Sequence, residues 1–377
     1  IKSLDNLPGR DPTAILLLGR TRIPVALSYE HGQRARLIPL ASTFAPAIQR
    51  LETAFPDQIV RILDVLPDRS KWLVWVGNSR LPGVFLLFDP ATGEVTAIAP
   101  SHEPTLTEDR LSPGLHFNFT SPTGERPLSA RIWRPKGTGP APLIVICPDR
   151  LPAPPVIDVY EPIVQAFVEQ GFAVLQVNIR NSWIWGKEGG QVAEDQWIPN
   201  LRSDLEAAVQ TLIKKQVVDP QRLYLYGERF GGVLALQVAA RSSLFAAIAT
   251  VNVPRETHRD DLSNMALFPG MNALAARLGG WRASEKVALA LSPIRTAPEL
   301  GIPALYLHNE DSIRGRVSED GRDIAALASK SRARIKSDIA YHFTDRPLLP
   351  AAAALEGATV STKIAAFFNE ASAAPGK

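Results

Sequence analysis

The stretch Leu223-Tyr-Leu-Tyr-Gly-Glu-Arg-Phe-Gly-Gly232, followed by Val233-Leu-Ala-Leu-Gln-Val-Ala-Ala240, constrains this chain more than any other. Four apolar or aromatic residues run into a Gly-Glu-Arg-Phe-Gly-Gly turn, and an apolar, small-residue helix pattern follows, which reads as strand, tight turn, helix. That is the layout of a nucleophile elbow, G-x-S-x-G, in which a sharp turn holds a serine at the top of a sheet. Gly227, Gly231 and Gly232 supply the small residues that let strand and helix approach closely. The central position is Arg229. A guanidinium does not deprotonate in a protein and is no nucleophile. The turn suits an attacking serine, and the serine is missing.

Upstream, Ala14–Gly19 and Pro24–Tyr29 read as strands, and Phe44 to Phe55 has apolar residues near helical spacing before Pro56. Four short strands follow, at Ile59–Val65, Lys71–Val76, Gly83–Asp89 and Glu94–Ile98, broken by turn formers such as Asp89-Pro-Ala-Thr-Gly93. They predict one antiparallel sheet of the size of a propeller blade, with no convincing second blade before it. Residues 101–113 read as a linker. Leu115–Thr120 and Leu128–Trp133 predict a hairpin, after which strands and helices alternate. The strands are Leu143–Cys147, Phe172–Asn178, the elbow strand, Phe245–Val251 and Ala304–His308, and the helices cover Tyr160–Gln170, about Asn200–Lys215 and Val360–Glu370. Alternation of this kind implies a mostly parallel, doubly wound sheet with helices on both faces. The expected division is a β-rich region over residues 1–113 and an α/β domain over 114–377.

Composition narrows the function classes. Of 377 residues, 45% are hydrophobic and 21% charged, enough to bury more than one core. A formal net charge of +3, with no Lys/Arg run interleaved with aromatics, argues against a nucleic-acid partner. No apolar run is long enough to span a bilayer. The one cysteine, Cys147 at a strand end, excludes an internal disulfide and reads as a buried thiol. The six histidines show no H-E-x-x-H or comparable spacing, so neither a metal nor another cofactor is expected. The chain opens at Ile1 rather than methionine, as it would after removal of a signal peptide or an upstream piece.

Several fragments together carry a family resemblance. They are Gly171-Phe-Ala-Val-Leu-Gln-Val-Asn-Ile-Arg-Asn-Ser182, Asp195-Gln-Trp197, Asp204-Leu205, Val218-Asp-Pro-Gln-Arg-Leu223, the elbow, Ser292-Pro-Ile294, Pro303–His308 and Tyr341-His-Phe343. In this order and spacing, residues from about 50 to 372 resemble the prolyl-oligopeptidase family of serine peptidases, especially its acylaminoacyl- and dipeptidyl-peptidase branch. The resemblance implies an α/β-hydrolase fold, with residues 58–98 similar to the last blade of the β-propeller that precedes it in that family. It also implies a periplasmic or secreted location.

By that resemblance, Arg229 stands at the nucleophile position, His342 at the histidine position, and Asp311, one residue early, at the carboxylate position of a vestigial triad. Relatives have a His-Gly-Gly-Pro oxyanion turn where this chain reads Cys147-Pro-Asp-Arg-Leu-Pro-Ala-Pro-Pro155. Its four prolines carry no N–H donor. A mechanism of this type needs nucleophile, base and oxyanion donors together, so the expectation is a pseudoenzyme. Glu228, Arg229 and Phe230 would form its binding face, with Arg229 pairing Glu228 or Asp311, or holding a peptide carboxylate bidentately. A lone blade would leave two sheet edges and an apolar face for a partner protein or a second copy. The competing expectation is an active peptidase or esterase with a displaced nucleophile, Ser182 or Ser312. Asp204 reads as a first-turn helix acid, and Trp183 and Trp185 as packing over the sheet edge.

Overall fold

A computed structural model describes residues 14–18, 23–31, 34–66, 68–102, 106–124, 127–185, 192–257, 285–308, 335–339 and 350–373. The N-terminal part begins with a three-stranded antiparallel sheet, β1 (Ala14–Leu18), β2 (Ile23–His31) and β3 (Arg34–Pro39). Helix α1 (Ala45–Ala54) follows, with Pro46 in its first turn, where a missing N–H costs nothing. The four expected strands then form β4 (Ile59–Val65), β5 (Trp72–Gly77), β6 (Val84–Phe88) and β7 (Val95–Pro100), antiparallel and in sequential order.

Alternation decides which face of this sheet is packed. Along β5, Trp72, Val74 and Val76 are buried while Leu73 and Trp75 are half-buried. Trp72 meets Phe44 and Phe88 edge-on, with ring centroids 6.0 and 5.8 Å apart. Ala47, Ile48 and Leu51 of α1, with Ala26 of β2 and Leu37 of β3, close the same cluster. The expectation of an uncovered apolar face is therefore corrected. Helix α1, expected from its spacing, and strand β3, which the pattern did not reveal, cover it, and what stays open is the edge strand β7, exposed along its whole length.

The second part is built on an eight-stranded sheet. Its strands are β8 (Leu115–Thr120), β9 (Pro127–Trp133), β10 (Ala141–Ile146), β11 (Ala173–Asn178), β12 (Val218–Glu228), β13 (Ala247–Val251), β14 (Ala304–His308) and β15 (Ile335–Ile339). The order is β8-β9-β11-β10-β12-β13-β14-β15, antiparallel from β8 to β11 and parallel from there on. This is the doubly wound α/β-hydrolase sheet. One face carries α3 (Trp197–Lys214), α4 (Phe230–Ala239) and α5 (Glu285–Leu291), with Leu201, Leu205 and Leu234 in its core. The other carries α2 (Pro162–Glu169) and the long C-terminal helix α6 (Pro350–Ala373). There Tyr224 and Phe368 stack with centroids 4.3 Å apart.

All ten residues of α4 are buried, which explains a helix apolar all round with no polar face. Residues 106–113, expected as a linker, are docked instead. Leu111 and Ser112 are buried, and Ser112 bonds to Gln165 of α2. No helix among the described residues is long and apolar enough to cross a membrane.

Candidate active site

Strand β12 lies inside the sheet, paired to β10 on one side and β13 on the other, so its C-terminal end is fixed from both flanks. The chain leaves it at Arg229 with φ 47° and ψ −119° and enters α4 at once. Three backbone bonds hold this turn. Arg229 N donates to Val251 O (2.8 Å), and Gly232 N and Val233 N donate to Arg229 O (3.1 and 3.2 Å). A positive φ at a non-glycine costs on the order of 1–3 kcal/mol and persists only where the surroundings impose it. The glycines show how tight the turn is. A Cβ on Gly227 would lie 2.2 Å from Gly231 O, a backbone atom that cannot yield, and one on Gly232 would lie 2.3 Å from Val253 Cγ2. The turn is tight and strained, and the residue at its apex is an arginine.

The Arg229 side chain is exposed, and among the described residues its guanidinium has neither a hydrogen bond nor an ion pair. The expected pairing with Glu228 is corrected: the Glu228 carboxylate accepts the Tyr226 hydroxyl instead. Phe230 is fully buried in the larger core, where its ring packs helix against sheet rather than facing a ligand. His342, Asp311 and Ser312 lie outside the described residues. Ser182 is fully buried, and its hydroxyl donates to Ala153 O at 2.8 Å, so it is not presented to a substrate.

The turn at 147–155 folds over the elbow, with Cys147 O 3.0 Å and Pro148 O 3.2 Å from where a Gly231 Cβ would sit. Its N–H supply is low. Beyond the four prolines, Cys147 N donates to Tyr226 O and Ala153 N to Asn181 O, at 2.9 and 2.7 Å. The next residue, Val156, donates its N–H to Asn178 Oδ1 at 2.8 Å. Burial pushes the Cys147 thiol up to about 12, so it stays a neutral thiol at physiological pH.

Beneath this turn lies a cavity of about 350 Å³, lined by Asp149, Glu161, Gln176, Tyr226 and Glu228 together with Ile146 and Val156. Burial raises the Glu161 pKa, the Gln176 amide opposes that by donating to Oε2 at 2.9 Å, and the charges of Asp149 and Glu228 raise it further. Arg150, also in the lining, forms a two-bond pair with its neighbour Asp149, at 2.9 Å each. Sequence reasoning missed Glu161, Gln176 and Tyr226 because they come from three elements. The one signal was an acid at the start of the helix that follows the proline turn.

One further residue was assigned differently by pattern. Asp204 sits deep within α3, fully buried, and not in its first turn. It accepts Arg180 N and Arg180 Nε at 2.8 Å each, fixing the Arg180-Asn181-Ser182 loop that in turn holds the proline turn through Ala153. Burial raises the Asp204 carboxyl to about 6, only partly offset by these bonds from Arg180.

The sheet order and the strand–turn–helix at Arg229 define an α/β-hydrolase fold. The family model described as the prolyl oligopeptidase family matches residues 159–269, which run from α2 through the elbow. The chain is 24% identical over 300 residues to dipeptidyl aminopeptidase BIII of Pseudoxanthomonas mexicana, covering 75% of this chain and 42% of that one. It is 25% identical over 171 residues to the uncharacterized peptidase YuxL of Bacillus subtilis (strain 168), covering 43% and 25%. The chain thus matches less than half the length of each of these relatives. Among solved structures, a puromycin-hydrolyzing peptidase of Mycobacterium tuberculosis superposes with a TM-score of 0.67 at 19% identity, over 96% of this chain and 54% of that one. The acylaminoacyl peptidase of Pyrococcus horikoshii gives 0.64 at 15%, over 97% and 56%.

Proposed function

We propose that this chain is a pseudopeptidase, a catalytically silent hydrolase of the prolyl-oligopeptidase type that works by binding a peptide or a partner protein. Arg229 carries the reading. It occupies the nucleophile position in a strained backbone conformation, exposed and without a described partner. A guanidinium so held cannot attack a carbonyl, but its planar fork suits a carboxylate. The proline turn supports the same conclusion, because four of its nine residues carry no N–H to stabilise an oxyanion. Partner binding through the N-terminal region rests on β7, an edge strand with Val95 and Ile98 exposed and no charged residue to discourage pairing.

Incubation with a fluorophosphonate probe and aminoacyl chromogenic substrates tests the proposal, alongside Arg229→Ser. The native chain should neither label nor turn over. Labelling of the variant alone would assign the silence to Arg229, and an unlabelled variant would mean that the oxyanion turn is lost as well. Labelling of the native chain sinks the proposal, and the modified serine would mark a displaced nucleophile.

A further inference from the structure

A second cavity, of about 310 Å³, lies between α3, α4 and α5, lined by Asp195, Ile198, Arg202, Arg241, Val287 and Leu291 among others. Arg241 follows the last turn of α4, eleven residues beyond Phe230, so it stands ~16 Å along the helix axis from the elbow at 1.5 Å per residue. This cavity is therefore separate from the site at Arg229.

Both of its arginines are positioned by main-chain acceptors rather than by acids. Arg202 Nη1 donates to Arg241 O at 2.8 Å, and Arg241 Nη1 donates to Gln237 O at 3.1 Å. Neither guanidinium forms an ion pair among the described residues. Arg202 Nε is shielded from solvent and has no acceptor among the described residues. Two guanidinia in one cavity lining, neither of them in an ion pair among the described residues, suit a carboxylate. Seven residues before Arg202, Asp195 is exposed and forms no ion pair among the described residues, while Ile198, Val287 and Leu291 supply an apolar strip. The volume is at the small end for ligand pockets.

We propose that this cavity binds a small zwitterion, a free α-amino acid with an apolar side chain. Its carboxylate sits on Arg202 and Arg241, its ammonium faces Asp195, and its side chain lies against Ile198 and Leu291. Calorimetric titration of the full chain with L-leucine, N-acetyl-leucine and leucinamide tests each contact. Leucine should bind saturably, and blocking either end should weaken binding by about tenfold or more, the scale of one charged hydrogen bond. Arg202→Gln and Arg241→Gln should each weaken leucine by about as much, whereas Arg229→Ser should leave it unchanged, which separates this site from the elbow. No heat with leucine at millimolar concentrations, or equal binding of leucine and its two blocked forms, overturns the proposal. That series uses the native chain and decides the matter even if a variant misfolds. Equal competition by inorganic phosphate, with N-acetyl-leucine as good as leucine, would reduce the site to a simple anion site and overturn the zwitterion.

Discussion

Arg229 is where the chain departs furthest from what its local geometry asks for. Its φ of 47° with ψ of −119° lies in a region that glycine enters freely and a residue with a Cβ does not. In a catalytic elbow that strain has a use, because it lifts the nucleophile clear of the sheet. Here the strained position is held by an arginine. Arg229→Gly should therefore stabilise the fold by about 1 kcal/mol, the low end of the range for such a conformation, offset in part by glycine's greater freedom when unfolded. The midpoint of urea unfolding would rise at constant slope. An unchanged or lower midpoint would mean that the arginine is held by contacts whose loss outweighs the strain relieved.

At the scale of elements, the Arg180–Asp204 pair couples the loop after β11 to the middle of α3, and through Ser182 and Ala153 to the proline turn. The side chains are almost wholly out of water, so loss of one leaves the other buried and unpaired. Asp204→Ala should cost about 3 kcal/mol near pH 7, where the carboxylate is charged. The pH dependence has a definite sign. Because burial raises the folded pKa from 3.8 to about 6, the folded chain holds this proton more tightly than the unfolded chain. The contribution of Asp204 is then fully present below pH 3.8 and declines as pH rises through 6, so the gap between native and variant should narrow over that window. Urea titrations of both proteins at pH 4, 5 and 7 measure it, and a widening gap would refute the assignment. This element shows what a pattern can and cannot reveal. The 3.6-residue period placed α3, with its start at Asn200 rather than Trp197, and that short shift helped make Asp204 look like an end residue. Glycine spacing located the elbow for a different reason, since Gly227 has no room for any other residue. The carboxylate cavity left no such trace, because Glu161, Tyr226 and Glu228 meet only when α2 and β12 are packed together.

The whole molecule depends on how its two parts are joined, and there the sequence was least legible. Residues 106–113 look like a linker by composition, and nothing in the helix pattern of α2 marks Gln165 as more than a polar position. In the fold, Gln165 is the buried joint. Its Nε2 donates to Ser79 O (3.1 Å) in the N-terminal part and to Ser112 O (2.9 Å), and its Oε1 accepts Ser112 N (2.9 Å). Ser79 in turn accepts Gly114 N at 2.9 Å. The exposed Arg110–Glu169 pair, 3.7 Å apart, also contacts α2 but is worth little in open solvent. Gln165→Ala would leave three main-chain groups buried without partners, at about 1–3 kcal/mol each. Each part has its own core, so that cost falls on the joint and not on either core. The native chain should melt in one calorimetric transition, and Gln165→Ala should split it in two, with the smaller N-terminal part unfolding first. Glu169→Ala, on the same helix but at the surface, should keep a single transition. Two transitions in the native chain would show that the parts are not coupled, and one undivided transition at a lower temperature in Gln165→Ala would show that they are coupled by something other than this glutamine.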